Sequence, residues 1–261
     1  MFKTSSFHAR HLVNVAKRLV ALAAVTSLAA CGNCAVPAFN PGPTVSAVSC
    51  AQNAITGQGV PLGAAATFAV LASSTVTNSG PSIVTGDLGV SPGSAVTGFP
   101  PGIVTGGSIH AGDPTAANAQ LALTTAFNNA AGRTNPTAIP ADIGGMVIGP
   151  GVYKAPVSLA ITGNVTLDGQ NNPNSVFIFQ MASTLTTAVN STVTLINHAN
   201  ACNIFWEVGS SATLNTASAF NGTILAQASI SLGTGATVNG RVLARTGAVT
   251  LLTNKVTKTG P

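Results

Sequence analysis

Charge is what this chain lacks most. Of its 261 residues only 6% are Asp, Glu, Lys or Arg, against roughly a quarter in ordinary soluble domains. Disorder needs polarity and few apolar residues, whereas 46% of this chain is hydrophobic, enough to build a core. No apolar run approaches the roughly 20 residues that a membrane-crossing helix requires. Acids are few and scattered: Asp87, Asp113, Asp142, Asp168 and Glu207 are the whole set. Polysaccharide lyases and hydrolases need clustered acids or bases. No such cluster and no nucleophile motif is present in the sequence, which argues against an enzyme. Histidine is equally sparse. His8, His11, His110 and His198 stand at no zinc spacing to Cys31, Cys34, Cys50 or Cys202, so no metal and no cofactor is expected.

The net charge of +5 is an N-terminal matter. Lys3, Arg10, Lys17 and Arg18 all precede an apolar run at 19–30. From Cys31 onward the bases Arg133, Lys154, Arg241, Arg245, Lys255 and Lys258 face five acids, leaving +1. A nearly neutral chain without a basic patch gives no electrostatic case for nucleic acid. Residues 1–30, basic and then apolar, read as a signal peptide. Their end, Leu28-Ala29-Ala30-Cys31-Gly32, resembles a bacterial lipobox, in which Cys31 would take the lipid. The alternative is ordinary secretion with Cys31 left free. Residues 31–58, with Pro37, Pro41, Gly42 and Pro43, suit a flexible tether. An exported chain permits a disulfide among Cys34, Cys50 and Cys202, though spacing does not fix the pairing. Cys202, beside the apolar run Ile204–Val208, reads as a buried apolar thiol.

What is present is a repeat. Phe220-Asn221-Gly222-Thr223-Ile224-Leu225-Ala226 returns eighteen positions later as Val238-Asn239-Gly240-Arg241-Val242-Leu243-Ala244. Ala212-Thr213-Leu214-Asn215-Thr216 matches Ile230-Ser231-Leu232-Gly233-Thr234, and Val249-Thr250-Leu251-Leu252-Thr253 follows nineteen on. Short apolar runs, Asn-Gly corners and a period near eighteen predict the coils of a β-solenoid. In such a fold equivalent side chains stack into ladders, here of threonine. Phe177, Phe179, Phe205, Trp206 and Phe220 then form an interior aromatic stack.

One segment breaks the pattern. Asp113 and Pro114 open a stretch that runs to Ala131, and Gly132 closes it. An N-cap Asp, Pro at the first helical position and Gly past the end predict one long α-helix. Ala116, Ala119, Leu123, Phe127 and Ala130 share a face at helical spacing. Such a small-residue face lets the helix lie close against a sheet. Residues 133–148, with two prolines and Gly144-Gly145, are expected to form a loop.

Several of these stretches together resemble one family. They are Leu62 to Ala65 with Phe68 to Leu71, Val84 to Gly89, Ala111 to Asp113, Ser175 to Gln180, Cys202 to Leu214 and Val238 to Ala244. The family is the microbial ice-binding proteins, and the resemblance covers roughly residues 59–257. It implies a right-handed β-solenoid over residues 59–261 with one long helix alongside, a monomer that adsorbs to an ice crystal surface. With the lipobox, it implies an exported, outward-facing protein held on a membrane, or extracellular if released. Some members present Thr-Ala/Gly-X-Thr/Asn toward ice. Thr187-Ala188-Val189-Asn190 and Thr234-Gly235-Ala236-Thr237 satisfy that pattern, while Thr216-Ala217-Ser218-Ala219 keeps its first half. The resemblance and the repeat thus nominate Thr187, Asn190, Thr216, Thr234, Thr237 and Thr253 as ice contacts, with Thr216, Thr234 and Thr253 stacked in adjacent coils. The alternative function is a cell-surface adhesin for carbohydrate or protein. It would require an aromatic strip beside a groove with exposed carboxylates.

Overall fold

The computed structural model describes residues 59–260. The signal-peptide assignment at 1–30 and the tether assignment at 31–58, with Cys31, Cys34 and Cys50, lie outside the described residues. Within them the eighteen-residue repeat is a strand register. Ala219–Ala226 lies parallel to Thr237–Ala244 with every residue of one opposite its repeat partner in the other. Thr213 likewise sits opposite Ser231, and Ser231 opposite Thr250. All strand pairs are parallel, as winding in one direction demands. Asn221-Gly222 and Asn239-Gly240 are the points where a strand turns a corner. A Cβ on Gly222 would lie 2.7 Å from the Ile204 side chain and 2.8 Å from Trp206 Nε1, so glycine is needed for the close approach.

Each coil contributes to three faces. One is a seven-stranded sheet, running in space from Leu159–Ile161 through Leu185–Thr187, Ala212–Leu214, Ile230–Leu232, Val249–Leu252 and Thr75–Ser79 to Ala95–Thr97. The adjoining face carries Asn164–Asp168, Thr192–Ile196, the first halves of the two long strands, Lys255–Thr257, Ile83–Thr85 and Ile103–Thr105. The third face, with Phe68–Ala72, Phe177–Met181 and Ile204–Val208, is buried on both sides, inward by the core and outward by the helix. Hence these strands are buried at every position and apolar apart from Gln180 and Glu207, where the others alternate. Of the aromatics the sequence nominates, Phe179, Trp206 and Phe220 stack through the interior, with Tyr153 in addition, at ring separations of 5.4, 4.1 and 5.1 Å, whereas Phe205 packs outward with the helix residues Leu123 and Phe127. Trp206 Nε1 donates to the Asn221 carbonyl at 3.1 Å, so the indole brings no unpaired donor into the core.

The coils do not stack in sequence order. Val70 pairs with Val242, Val76 with Val249, and Val84 with Val256, so the first coils of the chain sit against the last. The chain must therefore return along the whole stack before winding resumes at Thr137. The helix, Pro114–Ala131, does this. Its eighteen residues span about 27 Å. Six strand-to-strand steps, from Ile109–Ala111 to Phe177–Met181, come to about 29 Å. Asp113 caps it by accepting the Ala116 N–H at 2.8 Å. Ala116, Ala119, Leu123, Ala126, Phe127 and Ala130 are buried, the predicted face with one more alanine. At its far end Gln180 Nε2 donates to the carbonyls of Ala130, Ala131 and Arg133 at 2.8–3.2 Å, satisfying orphan groups of the last turn. Arg241 ties the two ends of the domain together. Its buried guanidinium donates to the Ala66 carbonyl at 2.8 and 3.0 Å and to the Thr259 carbonyl at 2.8 Å, and burial pulls its pKa down to about 10.

Two local expectations need correction. Residues 133–148 are not merely a loop. They include the short strands Thr137–Ala138 and Val147–Ile148, and Ile139, Ile143 and Ile148 are buried. The open end of a solenoid core has to be covered, and these isoleucines cover it. Cys202 is disulfide-bonded rather than a free buried thiol. It lies on the short 3-10 turn Ala201–Asn203 and is half-buried, outside the strand whose apolar pattern suggested an interior position. Sequence spacing also gives no partner for His110, whose Nδ1 lies 2.7 Å from Asp113 Oδ2 and Nε2 3.9 Å from Asp87 Oδ1.

Candidate functional site

The seven-stranded face is the distinctive surface. Its strands contain no charged residue. In six of the seven, an inward row of apolar side chains is buried in register: Leu159, Leu185, Ala212, Ile230, Val249 and Val76. Alternation then sends the next residue outward. The outward row reads Ala160, Thr186, Thr213, Ser231, Thr250, Thr77, Thr97, every member exposed or half-buried. Six of these seven carry a hydroxyl. Thr184, Ser211, Ser229 and Thr75, each one residue before the buried position, supply a second hydroxyl row. Adjacent coils lie about 4.8 Å apart, and alternate residues along a strand about 6.7 Å apart. The β-branch of threonine restricts χ1, so hydroxyl and methyl are held in place at each grid point.

The sheet ends at a turn repeated from coil to coil. Ser191 N–H donates to the Ala188 carbonyl, Ser218 N–H to Asn215, and Ala236 N–H to Gly233, at 3.1–3.3 Å. The third residue of each turn has positive φ: Asn190 at 58°, Ala217 at 58°, Gly235 at 71°. Such a turn favours Gly or Asn at that place. Its second residue, Val189, Thr216 or Thr234, is exposed, and its fourth, Ser191, Ser218 or Ala236, is buried. This resolves how residues three apart can both face solvent. Thr234 and Thr237 do so because the left-handed residue Gly235 interrupts the alternation between them.

The turn also sets the register of the predicted contacts. Thr216 and Thr234 are exposed and equivalent in adjacent coils, as predicted. Thr237 is exposed and opens the adjoining face. Asn190 is exposed, but at the third turn position. Thr253, also exposed, has φ 55° and corresponds to Gly235, not Thr234, because its coil is one residue shorter at this corner. Leu252 takes the place in the column assigned to Thr253. Thr187 is the clear error. It is only 1% exposed, and its Oγ1 lies 2.7 Å from Ser218 Oγ and accepts the Asn215 N–H at 2.9 Å. The segment Thr187-Ala188-Val189-Asn190 fits the tetrapeptide pattern two residues out of register. The structural equivalent of Thr234-Gly235-Ala236-Thr237 is Val189-Asn190-Ser191-Thr192.

The central row was missed as a site, although its signal is in the sequence. A hydroxyl, apolar, hydroxyl triplet recurs as Thr75-Val76-Thr77, Thr184-Leu185-Thr186, Ser211-Ala212-Thr213 and Ser229-Ile230-Ser231. The adjoining face is less uniform. Lys255, Ile83 and Ile103 interrupt its outer row, and Asn164 Oδ1 accepts from Thr192 and Thr194 hydroxyls at 2.6 Å. Exposed aromatics beside carboxylates, as an adhesin groove would need, are not seen among the described residues of either face. The large rings Phe177, Phe179, Trp206 and Phe220 are buried.

A parallel β-solenoid with a returning helix and an uncharged hydroxyl ladder defines a recognisable class. Residues 70–257 match the family described as Ice-binding-like. The chain is similar to an ice-binding protein of Nostoc sp. (strain HG1), 50% identical over 197 residues that make up 75% of this chain and 72% of that protein. Among solved structures, it resembles an ice binding protein from an Antarctic biological consortium, with TM-score 0.74 and 46% identity over 76% of this chain and 90% of that one. An ice-binding protein of the ascomycete Antarctomyces psychrotrophicus gives TM-score 0.75 and 42% identity, over 78% of this chain and all (100%) of that one. The chain belongs to the ice-binding-like family.

Proposed function

We propose that the protein adsorbs to ice through the seven-stranded face, with the row Thr186, Thr213, Ser231, Thr250, Thr77 and Thr97 at its centre and Thr216 and Thr234 along its edge. The observation that carries this reading is the register: six hydroxyl side chains in one row of parallel strands that contain no charge. Charged side chains hold their own hydration shells and would disturb an ordered water layer. Threonine offers a methyl that orders neighbouring water and a hydroxyl that anchors it. Each contact is weak, but an array fixed by the backbone loses little entropy on binding. Thr237, Asn190 and Thr253 stand at the rim, where the sheet turns into the adjoining face. Thr187 has no part in the contact.

The test uses the full chain. Thr213→Tyr places a bulky ring in the middle of the row at a half-exposed site, where substitutions typically change stability by about 0.5 kcal/mol or less. Ice-recrystallisation inhibition is expected to be lost with the melting temperature almost unchanged. Retained inhibition would assign ice contact to another face.

We further infer export and attachment of lipid at Cys31, supported by the basic start, the apolar run and the Leu28-Ala29-Ala30-Cys31 sequence. Several acyl chains, at about 0.8 kcal/mol per buried CH₂, would hold the chain on a membrane. Cys31→Ala should move it from the membrane fraction to the soluble fraction. Unchanged partitioning and mass would count against lipidation.

A further inference from the structure

We infer that Asn254, buried beneath the edge of the ice-contact face, is a positioning residue for Thr234 in the neighbouring coil. The inference rests on the proposed contact face. The turn that presents Thr234 runs from Gly233 to Ala236, and its fourth residue, Ala236, is fully buried but has no polar side-chain group. The equivalent residue beneath Thr216 is Ser218, whose hydroxyl donates to the Asn215 carbonyl of its own turn at 2.6 Å. The Thr234 turn has no such side-chain donor of its own, and the side chain that donates to its inward carbonyls comes from the next coil. Asn254 Nδ2 donates to the Gly233 carbonyl at 2.7 Å and to the Ala236 carbonyl at 3.0 Å. These two carbonyls bracket Thr234 and Gly235. Asn254 is itself held on its other sides. Its Oδ1 accepts the Leu252 N–H, and its backbone N–H donates to Ser82 Oγ at 2.9 Å. Ser82 Oγ in turn donates to Asn78 Oδ1. The side chain is 3% exposed. A buried amide with both donors and its acceptor engaged is rigid, because each lost bond leaves a polar group unpaired in a dry place.

The arrangement makes the effect of Asn254 specific. Its hydrogen bonds go to the turn of Thr234 and not to that of Thr216, which keeps its own serine. Removing the amide takes one donor from each carbonyl, leaving Gly233 with only the Ala236 N–H at 3.1 Å and Ala236 with only the Lys255 N–H at 3.4 Å. The turn then relaxes, and Thr234 leaves the column it shares with Thr216.

The experiment compares Asn254→Ser, Asn254→Ala, Thr234→Ala and the double variant Asn254→Ser/Thr234→Ala in the full chain, with Thr213→Tyr as reference. Serine and alanine stand at the same turn position in other coils, as Ser218 and Ala236, so the coil tolerates either. Ice-recrystallisation inhibition and melting temperature are read for each. Asn254→Ser and Asn254→Ala should both reduce inhibition about as much as Thr234→Ala. The double variant should be no worse than Thr234→Ala alone. The melting temperature, by contrast, should fall by the same amount when Asn254→Ser is made with or without Thr234. Unchanged inhibition in both Asn254 variants overturns the inference, as does an equal further loss in the double variant. If Thr213→Tyr abolishes inhibition while the Asn254 variants do not reduce it, the contact face stands and only the positioning role fails. If Thr213→Tyr and Thr234→Ala are both silent, the contact face is wrong and the inference falls with it.

Discussion

Thr187 and Ser218 share a hydrogen bond of 2.7 Å inside the solenoid wall, one coil apart. Both are 1% exposed. Thr186, the residue before Thr187, points the opposite way and is exposed. The two neighbouring threonines should therefore respond oppositely to the same substitution. Thr187→Ala leaves Ser218 and the Asn215 N–H short of a partner and should cost about 1–3 kcal/mol of stability. Thr186→Ala should change stability by about 0.5 kcal/mol or less while weakening ice-recrystallisation inhibition. Urea unfolding paired with the inhibition assay checks both. A larger stability loss from Thr186→Ala than from Thr187→Ala would reverse the assignment of inside and outside.

The column at the edge of the proposed contact face is incomplete. Thr216 and Thr234 are flanked by Val189 on one side and Leu252 on the other, 58% and 36% exposed. Neither neighbour offers a hydroxyl to ordered water. Val189→Thr keeps the β-branch, and Leu252→Thr removes an exposed isobutyl group, so neither should disturb the fold. Each is expected to raise inhibition, and the pair to raise it further. A fall in inhibition with unchanged melting temperature would mean that this column lies off the ice.

Most of the fold is legible in the sequence for a physical reason. Phe220 to Ala226 and Val238 to Ala244 repeat because parallel in-register coils put identical demands on equivalent residues. Asp113-Pro114 and Gly132 mark the helix because backbone groups at helix ends need those residues. The order of the coils is not legible. Nothing in the repeat says that Val70 pairs with Val242, since that contact joins opposite ends of the solenoid sequence and leaves no local pattern. The site was half legible. The tetrapeptide at Thr234 falls on an exposed turn, whereas its counterpart at Thr187 is out of register and begins inside the wall, because a four-residue pattern carries no register. The position of the left-handed residue fixes the register, and at Ala217 that residue is neither Gly nor Asn.

Ala217 is accordingly a place to gain stability. Its φ of 58° is left-handed, which costs an L-residue about 1–2 kcal/mol. Glycine removes that cost but loses more entropy on folding, about 0.5–1 kcal/mol. The balance predicts that Ala217→Gly stabilises by up to about 1 kcal/mol, seen as a higher urea midpoint at unchanged m. Gly235 already occupies the equivalent place in the next coil. A lower midpoint would show that the Ala217 methyl makes a contact worth more than the strain.

The last prediction concerns Glu207, buried under the helix-covered face. Burial pushes its carboxyl from 4.5 up to about 7, against the opposing pull of the Met181 N–H, Lys154 and Arg245. The folded chain thus holds a proton over a range where the unfolded chain has lost it. The stability linked to that proton is fully present below about pH 4.5 and is lost as pH rises through about 7. At about 1.4 kcal/mol per unit, the full change comes to roughly 3 kcal/mol. Unfolding free energy should therefore fall between pH 5 and pH 8.5. Glu207→Gln, neutral throughout and of similar shape, should flatten that slope and be the more stable protein at pH 8.5, with ice-recrystallisation inhibition unchanged because the residue lies far from the proposed contact rows in each coil. Urea titrations of both proteins at the two pH values make the measurement. Parallel pH profiles for the two would show that Glu207 is ionised in the fold, held by Lys154 and Arg245 more strongly than burial opposes it.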